Sequence, residues 1–150
     1  MNTNHSRAGA VLMAMVATMS IVAAQPTHSK LAGTSWQLVR IQSMDGKVAT
    51  PKDRSKYTME FGVDGNLSMQ IDCNRGRATW KAAEPNQLEI GPLAATRAMC
   101  PPGSLHDRVV KDMEFVRSFV MKDGHLFLSL MADGGIYELE PMKKEVGNRK

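Results

Sequence analysis

Four Asp-Gly pairs punctuate the chain and limit how it can fold: Asp45-Gly46, Asp64-Gly65, Asp123-Gly124 and Asp133-Gly134. Asp-Gly favours tight hairpin turns, because both residues tolerate the positive φ that such turns require. Apolar residues recur at every second position beside the turns, which is typical of strands with one buried face. They are Trp36 and Leu38; Tyr57, Met59 and Phe61; Leu67, Met69 and Ile71; Leu88 and Ile90; Phe115, Phe119 and Met121; Leu126, Leu128 and Leu130; Tyr137 and Leu139. Short strands joined by regular turns predict a barrel or a sandwich.

One helix interrupts the predicted strands. Pro101-Pro102-Gly103 breaks the chain, and Ser104 followed by Asp107 resembles a capping box with Asp in place of Glu. The apolar positions that follow have helical spacing, and we expect the helix to end near Glu114. The positions are Leu105, Val109, Val110 and Met113.

The N-terminal segment reads as a secretory signal peptide. Arg7 precedes 17 uncharged residues, Ala8 to Ala24, which end in the small residues Val22-Ala23-Ala24. A membrane anchor is the alternative, although the segment is short for a span. We expect a signal peptide at 1–24, a flexible linker at 25–30, one domain at 31–141 and a polar tail at 142–150. The protein is then periplasmic or secreted, with no transmembrane span after cleavage.

Composition and motifs favour a binding protein over an enzyme. The net charge of +4 is far from the dense basic surface of a nucleic-acid binder, so no nucleic acid is expected. The sequence has no Gly-x-Ser-x-Gly, phosphate-binding loop, dinucleotide fingerprint or His-Glu-x-x-His. Ser104, His106 and Asp107 lie too close on one helical turn to converge as a catalytic triad. No catalytic residue, cofactor or metal is therefore predicted.

Cys73 and Cys100 are the only cysteines in the chain. In an oxidising compartment an even cysteine count favours a disulfide, with a buried thiol pair or half of a metal site as the alternatives. A bridge would also draw Arg75, Arg77 and Arg97 to one end of the fold. Three guanidinium groups close together would bind a phosphate or carboxylate. The alternative is that the three point apart as solvated charges.

The motifs in order resemble the META domain, also called the HslJ-like domain of bacterial heat-shock and envelope proteins. They are Leu31-Ala-Gly-Thr-Ser-Trp36, Phe61-x-x-Asp-Gly65, Asp72-Cys73-Asn74, Thr96-Arg-Ala-Met99-Cys100 and Asp123-Gly-His-Leu126. The chain departs from the family at Asp72, where the family usually has Gly. If that Gly has a backbone conformation that only Gly tolerates, the turn must differ here.

The resemblance implies a mainly β fold: an antiparallel, lipocalin-topology partial barrel with one short α-helix packed against it. It also implies a role in the envelope stress response without a defined mechanism. Our leading hypothesis is a non-enzymatic binding protein for a small apolar or anionic ligand or a partner segment. The ligand or partner is then an unknown small molecule, a lipid or an envelope protein.

The alternative hypothesis is a protein inhibitor or an assembly or secretion factor, acting through exposed loops such as 91–103. An enzyme is a third hypothesis. A continuous apolar pocket would favour the first, and a solid core with an exposed, ordered loop would favour the second. Clustered titratable groups with perturbed pKa values in a cleft would favour the third.

Overall fold

A computed structural model describes residues 30–132 and 134–142. The predicted signal peptide and most of the linker and tail lie outside these residues. The strands are β1 (Thr34–Gln42), β2 (Val48–Ala49), β3 (Tyr57–Phe61), β4 (Asn66–Ile71), β5 (Asn74–Ala83), β6 (Gln87–Ile90), β7 (Ala94–Ala95), β8 (Val116–Lys122), β9 (His125–Leu130) and β10 (Ile136–Pro141). The helix α1 (His106–Asp112) continues into a 3₁₀ turn, Met113–Phe115.

Eight of the strands close into an antiparallel barrel. The order around the ring is β1, β3, β4, β5, β6, β8, β9 and β10, and β10 pairs again with β1. The short strands β2 and β7 pair with β1 and β5 outside this ring. The predicted mainly β antiparallel barrel with one helix is therefore confirmed. Its ring is complete rather than partial, because β10 pairs with β1.

Apolar side chains occupy the barrel interior. An eight-stranded barrel is just wide enough for side chains to fill. Phe61 and Trp80 meet edge to face at 5.3 Å between ring centroids, and Tyr137 and Leu128 are almost fully buried. The alternation in the sequence correctly identified the inward faces of β3, β4, β6 and β9.

The two ends of the barrel differ. At the hairpin end, where β3 ends and β4 begins, the short connections 62–65, 84–86 and 123–124 join neighbouring strands. At the helix end, where β3 begins and β4 ends, α1 packs Val109 against the core, and Met113 of the following turn is also buried. Two tyrosine hydroxyls attach the helix: Tyr57 accepts the Leu105 N–H at 2.9 Å, and Tyr137 donates to Asp112 at 2.7 Å.

The Asp-Gly turns occur between strands as predicted. Asp123 and Gly124 have φ of 52° and 78°, and positive φ at both central residues is the pattern of a type I′ hairpin. Gly65 and Gly46 also have positive φ. Asp133 lies outside the described residues.

Two local predictions were wrong. The predicted capping box does not form, because Leu105 precedes the helix and the Asp107 carboxylate contacts the His106 ring instead. Phe115 does not share a strand face with Phe119, because it lies in the 3₁₀ turn and a bulge follows Val116. No helix in the described ranges is long and apolar enough to cross a membrane.

Candidate functional site

A disulfide at the helix end joins the β4–β5 turn to the segment that leads into the helix. Cys73 and Cys100 are bridged, with their Cα atoms 5.5 Å apart. The structure therefore contains the disulfide that the cysteine count favoured. Because the two cysteines are 27 positions apart in sequence, the bridge attaches the otherwise long connection between β6 and α1 to the barrel wall.

Asn74 attaches the same segment a second time. Its side chain is completely buried, and its Oδ1 accepts from the Thr96 hydroxyl and the Ala98 N–H, each at 2.7 Å. Its Nδ2 donates to the Ala98 carbonyl at 2.9 Å. The amide therefore bonds both backbone groups of Ala98, as a neighbouring strand would.

The segment 96–101 held in this way presents an apolar side chain to solvent, and we call it the tethered loop. Met99 is 99% exposed, although the residues on either side, Ala98 and Cys100, are fixed by Asn74 and by the disulfide. Methionine is usually a core residue, so complete exposure at a fixed backbone position marks this loop as a candidate contact surface.

The arginines Arg75, Arg77 and Arg97 are all exposed. Arg75 and Arg77 flank inward-facing Gly76, so both lie on the outer face of β5. Arg97 lies in the tethered loop and lines a different surface, the groove beside the helix. Among the described arginines these three are the ones whose side chains make no hydrogen bond or ion pair; the others are engaged, namely Arg40, Arg54, Arg108 and Arg117.

A groove of about 630 Å³ separates the tethered loop from α1. Arg97 and Met99 line it from the loop, and Val110 and Lys111 line it from the helix. The described contacts give Lys111 no ion pair, while Asp107, which also lines the groove and is exposed, lies 3.0 Å from the His106 ring. The groove therefore combines apolar surface with two cations that have no ion pair in the described contacts, Arg97 and Lys111, and one carboxylate, Asp107. It does not include Arg75 or Arg77, so a single anion site formed by all three arginines stays a prediction.

The comparisons with known proteins place this barrel in a family. The sequence profile of the META domain matches residues 29–142. The chain belongs to the META domain family. None of the curated proteins compared with it matches it in sequence.

Solved structures share the fold of this barrel. A protein from Burkholderia xenovorans, solved by NMR, has a TM-score of 0.66 at 18% identity, and the match covers 88% of this chain and 100% of that one. A duf4847 family protein from Bacteroides vulgatus, solved by crystallography, has a TM-score of 0.52 at 14% identity, covering 74% and 94%. At these identities the likeness shows the fold alone.

The turn before the disulfide explains the departure from the META pattern at Asp72. Asp72 and Cys73 form the two-residue loop between β4 and β5, and Asp72 has φ of 56°. Positive φ is the conformation that favours Gly, and Asp is one of the few other residues that adopts it readily. Asp72 therefore has the positive φ that Gly favours, and this turn forms without Gly at that position.

Ser104, His106 and Asp107 of this META domain have local structural contacts. Ser104 Oγ accepts the backbone N–H of His106 at 3.2 Å, and His106 Nδ1 lies 3.0 Å from Asp107. His106 Nε2 is buried without a hydrogen-bond partner in the described part of the chain. Within the same ranges no group of His, Cys, Asp or Glu residues is arranged to hold a metal ion.

Glu138 and Glu140 on the outer face of β10 are paired across strands. Burial disfavours the Glu138 charge, but Arg40 Nε at 2.6 Å and the His125 ring at 2.8 Å outweigh it and lower the Glu138 pKa. A hydrogen bond from Gln37, assisted by Arg54, lowers the pKa of Glu140. These carboxylates hold the β1–β10 seam together rather than forming a cleft.

Sequence reasoning missed the roles of Asn74 and Tyr137. Asn74 follows Cys73 directly, and an amide beside a bridged cysteine is well placed to bond the segment on the other side of the disulfide. Burial of Tyr137 raises the pKa of its hydroxyl, and the bond to Asp112 raises it further. The hydroxyl therefore stays protonated and donates to the end of α1. No local signal pairs residues so distant in sequence.

Proposed function

We propose that this META domain is an exported, non-enzymatic binding domain that holds an acidic segment of a protein partner at its helix end. The observation that best supports this proposal is the tethered loop, in which Met99 is 99% exposed. It lines the groove together with Arg97, whose side chain makes no ion pair in the described contacts. This is the loop surface of our alternative hypothesis, an inhibitor or assembly factor.

The packed interior supports a site outside the barrel. Aromatic and aliphatic side chains occupy the ring, and the grooves beside the tethered loop and beside β6 both open to solvent. A small apolar ligand inside the barrel would have to displace this core. A partner segment on the helix end would leave it intact.

The charges at this end define the partner's chemistry. Within residues 30–132 and 134–142, the side chains of Arg75, Arg77 and Arg97 are exposed and make no hydrogen bond or ion pair, and guanidinium groups bind carboxylates through paired hydrogen bonds. Met99 and Val110 offer apolar contact in the groove. A segment with acidic side chains around one apolar side chain complements both features.

The contacts of Ser104, His106 and Asp107 support a non-enzymatic role. The serine hydroxyl accepts a backbone N–H and approaches the Tyr57 hydroxyl. Neither contact is the hydroxyl-to-imidazole bond that activates a serine nucleophile.

Binding of a capped hexapeptide with two glutamates flanking one leucine tests the proposal. By NMR titration, we expect the shifted amide signals to come from the tethered loop, α1 and the start of β5, which carries Arg75 and Arg77. Changing Arg75, Arg77 and Arg97 together to Gln should weaken binding about tenfold, equivalent to about 1.4 kcal/mol.

A matched triple variant separates site binding from net charge. Lys30, Lys81 and Lys122 are exposed cations away from the tethered loop, and changing them to Gln removes the same charge. This variant should bind the hexapeptide as the unchanged protein does. Equal weakening in both variants would show a general charge effect and contradict the proposal.

A further inference from the structure

We propose that Met99 is the preferred site of reversible oxidation in the described part of this chain. The expected effect of this oxidation on partner binding rests on the proposed function, whereas the site of oxidation does not. The modified group is the Met99 thioether, and the oxidant is a peroxide such as hydrogen peroxide.

The chain has no thiol to intercept an oxidant. Cys73 and Cys100 are its only cysteines and are joined in the disulfide. The next most readily oxidised sulfur is the methionine thioether. Oxidation therefore falls on methionines, and access to the sulfur decides which one reacts first.

Exposure separates Met99 from the other described methionines. Met99 is 99% exposed, followed by Met44 at 64% and Met131 at 43%. The core methionines Met59, Met69 and Met113 are at most 5% exposed. An oxidant reaches the Met99 sulfur without any movement of the protein.

The tether keeps the Met99 sulfur accessible. The backbone groups of Ala98 are bonded to buried Asn74, and Cys100 is fixed by the disulfide. The loop is therefore held against rotation of Met99 toward the core. A methionine in an unattached loop would be able to find apolar cover.

The reaction balances with peroxide alone. The thioether sulfur attacks one peroxide oxygen, an S–O bond forms and the O–O bond breaks. The sulfur loses two electrons and becomes a sulfoxide, and the other oxygen leaves as water with both protons. A thiol-dependent methionine sulfoxide reductase reverses the change. The sulfoxide replaces an apolar surface with a polar one at the rim of the groove.

Residue-resolved mass spectrometry during hydrogen peroxide treatment tests the site. We expect Met99 sulfoxide to form first, ahead of Met44 and about tenfold faster than Met59, Met69 and Met113. Sulfoxide reductase should restore it. Oxidation of Met44 or Met131 ahead of Met99, or a Met99 sulfoxide that the reductase does not restore, would overturn the proposal.

Hexapeptide binding by the treated protein tests the consequence. Peroxide should weaken binding about threefold in the unchanged protein and have no effect in Met99→Leu, whose substitution is on an exposed side chain. Met44→Leu is the matched control and should still lose affinity. If the hexapeptide binds no form of the protein, the proposed function fails, while the order of oxidation still decides the modification site.

Discussion

At the hairpin end, each connection joins two neighbouring strands through a short turn, whereas at the helix end a disulfide and a buried asparagine hold the long connection between β6 and α1. The Asp64 carboxylate accepts the Asn66 N–H at 3.0 Å within one of these short turns. At the helix end, Asn74 bonds residues more than twenty positions away.

The hairpin end contributes mainly to strand pairing, whereas the helix end carries the exposed loop that we identify as the candidate contact surface. Short turns fix strand pairing at low entropic cost and leave little exposed chain. The long connection from β6 to α1 needs tertiary attachments to stay ordered, and its attachments allow Met99 to remain exposed. The candidate site is therefore at the end where order depends on tertiary contacts.

Removal of the disulfide is expected to cause the largest loss of stability among these tests. Changing Cys73 and Cys100 together to Ser should lower the free energy of unfolding by about 3 kcal/mol, because the open loop regains entropy in the unfolded chain. Urea denaturation measures this value. A loss below about 1 kcal/mol would mean that the bridge does little to stabilise the helix end.

Two asparagines at matched positions give the next test, since each is the first residue of a strand. Asn74→Ala should cost about 2.5 kcal/mol, because Ala98 loses both buried partners. Asn66→Ala at the hairpin end should cost about 0.5 kcal/mol, because Asn66 is exposed. Urea denaturation measures the free energy of unfolding of both variants. Equal losses would contradict the difference between the two ends.

Substitutions at Asp72 and Asp123 test whether turns at the two ends of the barrel require positive φ to the same degree. Both have positive φ, 56° and 52°. At each position Ala should be less stable than Gly by about 1 kcal/mol, because its Cβ disfavours left-handed backbone. Thermal unfolding of the four variants measures this. If Ala at position 72 were as stable as Gly, the turn would not require positive φ.

Glu138 provides a smaller, pH-dependent test on the barrel wall. Its folded pKa lies below its ordinary value near 4.5, so its pairing with Arg40 and His125 stabilises the protein above that pH. The contribution is lost as pH falls through the folded pKa. Glu138→Gln should therefore be less stable than the unchanged protein at pH 7, with a difference that shrinks toward acid.

Urea denaturation across this pH range checks the expectation. Glu89→Gln is the control, because Glu89 is an exposed carboxylate without an ion pair in the described contacts. Its stability should differ little from that of the unchanged protein at any of these pH values. A Glu138→Gln difference that grows in acid would reverse the sign and contradict the pairing.

The sequence by itself determined the strands, their inward faces and most of their turns. Alternation and Asp-Gly turns are local, so residues such as Phe61, Leu67 and Gly124 reveal their positions without knowledge of distant contacts. The helix was also found, but the predicted box between Ser104 and Asp107 was wrong, because the Ser104 N–H bonds the Pro101 carbonyl and the Asp107 carboxylate contacts the His106 ring.

Only the tertiary structure decided how the candidate site is built. Barrel closure brings β10 beside β1 and Asn74 beside Ala98, and these pairings depend on the whole ring. It also places Arg97 in the groove while Arg75 and Arg77 stay on the outer wall. The sequence showed these residue types and their proximity to the cysteines. The directions of their side chains depend on strand register and on the tether, which distant residues set.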